Sequence, residues 1–224
     1  MELYIRDRRS NRATDRTPDA YERGASTAYM RDLTHIHEDI GGERLPPGQR
    51  ETSEFPVLSK GPIPSIPGDP TLDVRGAVDT ERSIPLAALE EIENERQKQD
   101  FHCVTGWSRL DCVFRGVRFS TLADHVGVDG DAVHVLFHAH DGYTTDLPLS
   151  DCLHDGVLLA WAFDGEALSG EHGGPLRVVT PHKYAYKGAK WVSAIEFLTE
   201  RKRGYWEKRG YSGTADPWQE ERYD

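Results

Sequence analysis

One sulfur stands out for its setting. In Asp100-Phe-His-Cys103-Val-Thr-Gly-Trp107-Ser-Arg109, Cys103 closes a stretch that reads as a strand and meets a glycine-containing turn. A rigid frame presents a side chain to a cavity at such a junction. A thiolate there serves as a nucleophile or as a soft metal ligand, and this segment leaves both open. A second segment, Glu171-His172-Gly173-Gly174-Pro175-Leu176-Arg177, sets a histidine and an arginine around paired glycines. Glycines let another group come close to the backbone, and a guanidinium fork matches phosphate. The alternative is an interstrand loop with an incidental histidine. In the third segment, Lys183, Lys187 and Lys190 fall within Pro181–Trp191, with small residues between two of them. Ammonium groups and backbone N–H groups in this pattern suit a small anion. Together the three segments offer one soft ligand and two anion-binding loops. A metal carried by a phosphorylated organic cofactor requires that combination, because the cofactor supplies the remaining ligands.

Short strands would have to position these groups. The patterning predicts strands over Leu72–Val78, Asp100–Val104, Val113–Val117, Ala132–His140, Gly142–Leu149, Val157–Phe163, Leu176–Thr180 and Trp191–Leu198, with a hairpin turn at Asp164-Gly165. Helices are expected over Ile84–Ile92, capped by Ser83, and over Phe119–Val126, with Ser120 or Thr121 near the cap. A further short helix is read around Ala20–Leu33. The sum is a mixed α+β domain dominated by strands, not a βαβ array. Seven prolines between Leu45 and Pro70 dictate an extended, irregular path, anchored by Phe55, Val57, Leu58, Ile63 and Ile66. Residues 1–44 are polar and are expected to form a mobile or loosely docked extension to a domain over 45–224.

Composition narrows the partners. The chain has 224 residues and a net charge of −11, which disfavours nonspecific binding to nucleic acid. It has no apolar run long enough for a membrane span and no charged-then-apolar signal at its start, so a cytoplasmic protein is expected. Three cysteines do not make a disulfide framework, and Cys112 and Cys152 read as structural. The five tryptophans, Trp107, Trp161, Trp191, Trp206 and Trp218, read as core or cofactor-lid packing rather than catalytic groups.

From Leu45 to Tyr223 the chain resembles the sulfite-oxidase-type molybdopterin-binding domain in its compact prokaryotic form. The resemblance rests on FHCVTGWSRLD, LPPGQRETSEFPVL, DGYTTDLPL, HGGPLR and KGAKWV in the family's order, with a fitting tail, GYWEKRGY…DPWQEERY. It implies a mostly β, α+β fold around molybdenum–molybdopterin. Cys103 would ligate the metal. His172 and Arg177 would bind the pterin cofactor, and Gly188, Ala189 and Lys190 would cradle its phosphate. Asp141 would also contact the cofactor. Arg50 and Tyr211 would face the substrate; the family's further arginine after the metal cysteine lies in a different local sequence, and Arg109 is the one candidate to replace it. The implied chemistry is oxygen-atom transfer to or from a small oxyanion, S-oxide or N-oxide, with a separate electron-transfer partner.

Two other readings compete. His134, His138 and His140 share one face of a strand, which suits a cupin-like metal site. A non-catalytic member of the fold would act as a binding module, but such a member loses its thiolate first, and Cys103 is kept.

Overall fold

The computed structural model describes residues 30–39 and 42–224. Buried side chains at Leu72 and Val74 of β3 (Thr71–Gly76) face the same core as Ile195 and Phe197 of β12 (Val192–Leu198). These two strands run parallel at the centre of a five-stranded sheet. β4 (Arg82–Pro85) flanks β3, and the antiparallel pair β7 (His134–Ala139) and β8 (Thr144–Pro148) flanks β12.

A seven-stranded sheet is built on one long hairpin, β5 (Glu95–Cys103) with β6 (Trp107–Arg118). β9 (Leu158–Phe163) pairs with β6 and carries β10 (Glu166–Ala167) and β11 (Arg177–Val179). Two short strands run parallel to the hairpin: β1 (Met30–Asp32) beside β5 and β2 (Arg50–Glu51) beside β6. The main core lies between the sheets and includes α3 (Phe119–Val126). This helix buries Phe119, Leu122, Ala123 and Val126, the spacing of one helical face. A second apolar cluster, with Phe101, Cys103, Trp107, Cys112 and Phe114, is formed by the hairpin and underlies the candidate site.

The mixed, mostly β architecture is the one expected, and α3 spans the residues read from the sequence. Other local expectations are corrected. Arg118 takes the N-cap position of α3 with no side-chain cap, so neither Ser120 nor Thr121 caps it. Ile84 lies in β4, where it pairs with Leu72, and only α2 (Leu86–Leu89) is helical. Ser83 does not cap it; its hydroxyl donates to Asp73 across the ladder at 2.7 Å. The strand before Cys103 starts at Glu95, well ahead of the expected Asp100. Its first half escapes an apolar pattern because Gln97 and Gln99 are buried amides: Gln99 donates to Gln97 and Gln97 to the Asp155 carbonyl, while the Gln99 side-chain oxygen has no partner among the described residues.

Residues 30–44, read as part of a loose extension, are docked where described. Met30–Asp32 adds a strand, Leu33 and Ile36 are buried, and Arg44 grips Asp100 through two bonds of 2.7 and 2.8 Å. The helix expected over Ala20–Leu33 gives way to β1 at its end, and the rest of it lies outside the described residues. No helix among the described residues is long and apolar enough to cross a membrane.

Candidate cofactor site

The long hairpin decides where Cys103 sits. Cys103 pairs with Trp107, so only Val104, Thr105 and Gly106 connect the two strands. The Gly106 N–H donates to the Cys103 carbonyl at 3.0 Å. Gln49 Nε2 also donates to that carbonyl, at 3.2 Å, and Arg222 donates to the Val104 carbonyl. The Cys103 side chain is held at the floor of a cavity of about 260 Å³. Burial raises its thiol pKa, and bonds from the Thr105 hydroxyl and N–H and the charge of Arg222 oppose the rise.

Arg177 forms another wall from β11. It is 3% exposed, yet no carboxylate pairs with it among the described residues. Its Nη1 donates to the His172 carbonyl at 3.0 Å, and its Nε has no partner. Aromatic rings surround the guanidinium, with Phe101 5.1 Å and Phe55 5.8 Å away. Burial lowers its pKa to about 10. His172 stacks on Phe55 at 4.3 Å. Burial, then the charges of Arg177 and Lys190, bring its pKa down to about 4. Lys190 is pushed down to about 7, first by burial and then by Arg177. Its Nζ has a carbonyl partner, Glu171 O at 2.9 Å, and lies 4.7 Å from the Trp191 ring.

Two glycines make this packing feasible. Gly173 has φ +103°, and a Cβ there would come within 2.9 Å of Lys190. A Cβ on Gly188 would lie 2.6 Å from the Val178 carbonyl. The two loops are zipped together by Trp191 N–H to Gly173 O (3.2 Å) and Trp191 Nε1 to Gly170 O (2.7 Å).

Of the residues singled out in the sequence, Cys103, Asp141, His172, Arg177, Gly188, Lys190 and Tyr211 line this one cavity. Asp141 meets Lys60, whose Nζ donates to the Asp141 carbonyl at 2.7 Å. Ala189 lies fully buried behind the wall, its carbonyl accepting from Val178 N–H at 2.8 Å. Arg50 is exposed on β2 and does not line the cavity. Arg109 is turned to Asp164 at 2.7 Å and rests on the Phe163 ring. The three-lysine anion loop is also corrected. Lys183 pairs with Asp151 (2.8 Å) and Lys187 with Glu207 (2.6 Å), so only Lys190 reaches the cavity. Sequence reasoning missed Thr105, Lys60, Tyr143 and Tyr186 as lining residues, whereas Trp206 takes the lid position read for it. Thr105 alone carried a signal, its place two residues after the cysteine.

The histidine strand does not gather a metal site. His138 Nε2 is bonded to Glu196 at 2.7 Å, and no group of three His, Cys, Asp or Glu suited to a metal occurs among the described residues.

The donor set fits an anionic, phosphate-bearing organic cofactor that also brings a metal. An unpaired buried guanidinium, a second depressed cation and a glycine-lined wall share a cavity with one sulfur. Residues 60–206 match the model of the oxidoreductase molybdopterin-binding domain. The chain belongs to this family. It is a molybdenum-dependent oxidoreductase with molybdenum–molybdopterin as cofactor. It is 45% identical over 183 residues to the uncharacterized oxidoreductase YuiH of Bacillus subtilis, covering 80% of this chain and 92% of that protein. It is 27% identical over 155 residues to the protein-methionine-sulfoxide reductase catalytic subunit MsrP of Campylobacter jejuni, covering 61% of this chain and 51% of that one. This chain therefore spans about half the length of that reductase. The sulfane dehydrogenase SoxCD of Paracoccus pantotrophus shares the fold, with a TM-score of 0.55 at 19% identity, over 63% of this chain and 40% of that chain. Tyr211 and Arg222 lie beyond the part of the chain that matches the family model.

Proposed function

We propose that this oxidoreductase removes oxygen from a small neutral S-oxide. The balanced step takes one sulfoxide, two electrons and two protons to one thioether and one water. The sulfur–oxygen bond breaks, the sulfur is reduced, and a separate donor supplies the electrons. One observation carries the reading. Arg50 and Arg109, the arginines expected to hold an oxyanion, both stay out of the cavity, whereas Trp107, Trp206, Tyr211 and Phe55 line it. With Arg177 and Lys190 engaged by the cofactor and Lys60 paired with Asp141 at 3.5 Å, the aromatic wall favours a neutral, polarisable sulfur compound over sulfite. The names of the methionine-sulfoxide reductase relatives support the same chemistry.

In this reading Cys103 is the protein's sulfur ligand to molybdenum. His172, Arg177 and Lys190, with the backbone at Gly188–Ala189, hold the anionic side of the cofactor. Bound there, molybdenum–molybdopterin supplies two-electron oxygen-atom chemistry. Burial and then Tyr223 raise the pKa of Tyr211, and its hydroxyl would turn from its hydrogen bond with Tyr223 to donate one to the substrate oxygen. The rings around the cavity exclude water and orient the sulfur substituents.

The test is an assay of cofactor-loaded protein with a reduced viologen dye and dimethyl or methyl aryl sulfoxides. Thioether formation matched to dye oxidation is the expected result. Cys103→Ser should keep native circular dichroism and lose this activity. Sulfite oxidation without S-oxide reduction would overturn the reading, as would reduction of N-oxides alone.

A further inference from the structure

We propose that Thr105 tunes the metal's sulfur ligand by donating a hydrogen bond from its hydroxyl to Cys103 Sγ. The inference rests on Cys103 being that ligand, and it holds whichever substrate is turned over.

Thr105 Oγ1 lies 3.2 Å from Sγ. In a free thiol either atom can donate. A thiolate bound to a metal has no proton, so the hydroxyl becomes the only donor of the pair. Thr105 Oγ1 has no other hydrogen-bond partner among the described residues.

The turn is built to hold this contact, because carbonyls on its outer side are already occupied. Cys103 O accepts from Gly106 N–H and Gln49, Val104 O accepts from Arg222, and Gly106 O accepts from Arg50 N–H at 3.1 Å. The backbone is therefore fixed from outside the cavity, while the Thr105 side chain faces in beside the sulfur. A β-branched residue has few side-chain rotamers, so the hydroxyl does not swing freely.

Cys112 provides the contrast within the same apolar cluster. Its Sγ donates to the Arg109 carbonyl at 3.5 Å, an acceptor that suits a protonated thiol. Cys103 faces a donor, which suits a thiolate. Hydrogen bonds to a ligating sulfur draw electron density from it and make the metal easier to reduce.

The experiment uses loaded wild-type protein with Thr105→Val, Thr105→Ser and Cys103→Ser. Molybdenum and pterin content, the thiolate-to-molybdenum charge-transfer absorption and an EPR-monitored redox titration are the readouts. Thr105→Val should keep its cofactor, shift the charge-transfer band to lower energy and move the midpoint to lower potential. Thr105→Ser should restore both towards wild type, which loss of packing alone would not predict. Thr105→Ala removes the same donor and reports the same shifts should the extra methyl of valine disturb the turn. Unmoved band and potential in both donor-free variants overturn the proposal, as do equal shifts in Thr105→Val and Thr105→Ser. A charge-transfer band retained in Cys103→Ser overturns the ligand assignment, and the Thr105 proposal with it. A band lost there but unmoved in Thr105→Val overturns the Thr105 proposal alone.

Discussion

Two buried cations from one region of the chain have opposite surroundings. Lys187 is fully buried, with Glu207 Oε1 at 2.6 Å and the Asp146 carbonyl at 2.8 Å, and Thr145 also donates to Glu207 at 2.7 Å. Arg177 is nearly as deep, has one carbonyl partner, and has an Nε with none. A buried charge without its counter-charge is costly, so a fold retains one only where another role requires it. Lys187 is completed by the chain itself. Arg177 is not, which supports the proposal that it meets an anion the chain does not supply. On that proposal the difference separates a structural cation from a binding cation, where sequence shows only two basic residues ten positions apart.

The sharpest way to break this contrast is to remove each cation in turn. Lys187→Met strands Glu207 in the core, and about 3–5 kcal/mol of stability should be lost. Denaturant unfolding measures it, and Lys187→Met with Glu207→Leu should regain most of the loss. Arg177→Met should behave in the opposite way. Cofactor-free protein should keep its stability or gain some, because no ion pair is broken. Cofactor affinity should fall at least ~30-fold, taking about 2 kcal/mol as the floor for removing one partner of a buried charge pair. Molybdenum per chain after dialysis reports it. Equal stability losses in the two variants would erase the distinction.

Part of this was legible in the sequence. α3 was readable because Phe119, Leu122, Ala123 and Val126 repeat at helical spacing and Gly127 (φ +70°) ends the helix. That Cys103, His172 and Arg177 line one cavity was legible because each sits among residues with a local chemical pattern. The fates of Lys183 and Lys187 were not. Their partners, Asp151 and Glu207, arrive from distant segments, and nothing within Pro181–Trp191 distinguishes a lysine that will be neutralised from one that will not. Arg50 failed as a cavity residue for a similar reason. Its backbone serves the Cys103 turn while its side chain points away, and alternation along a two-residue strand carries too little pattern to show which.

The cradle itself offers a milder test. Gly188→Ala would place a methyl 2.6 Å from the Val178 carbonyl, in backbone that cannot yield as a side chain does. A loss of about 1–3 kcal/mol is expected. Gly130→Ala is the reference, since nothing lies within 4 Å of a Cβ there. It should be neutral or stabilising by up to about 1 kcal/mol. Thermal melts of the two variants should diverge; matching melts would show that the wall at Gly188 relaxes.

Lys190 gives the most specific effect, because it is read as a slope against pH. Burial, then repulsion from Arg177, holds its pKa near 7, against an ordinary 10.5. Between those values the unfolded chain binds a proton that the folded, cofactor-free chain does not. Stability of that form should therefore rise as pH goes from about 7 towards 10.5, and the full penalty should be present below about 7. Lys190→Met removes the group, so the stability difference between the variant and wild type should shrink steadily over that range. Denaturant unfolding of both proteins at about pH 7, 8, 9 and 10 measures it. An anion bound beside Lys190 favours its charged form, so the same series on loaded protein should lose the slope. A slope that survives loading would mean that Lys190 does not meet the anion, leaving Arg177 as the cation that does.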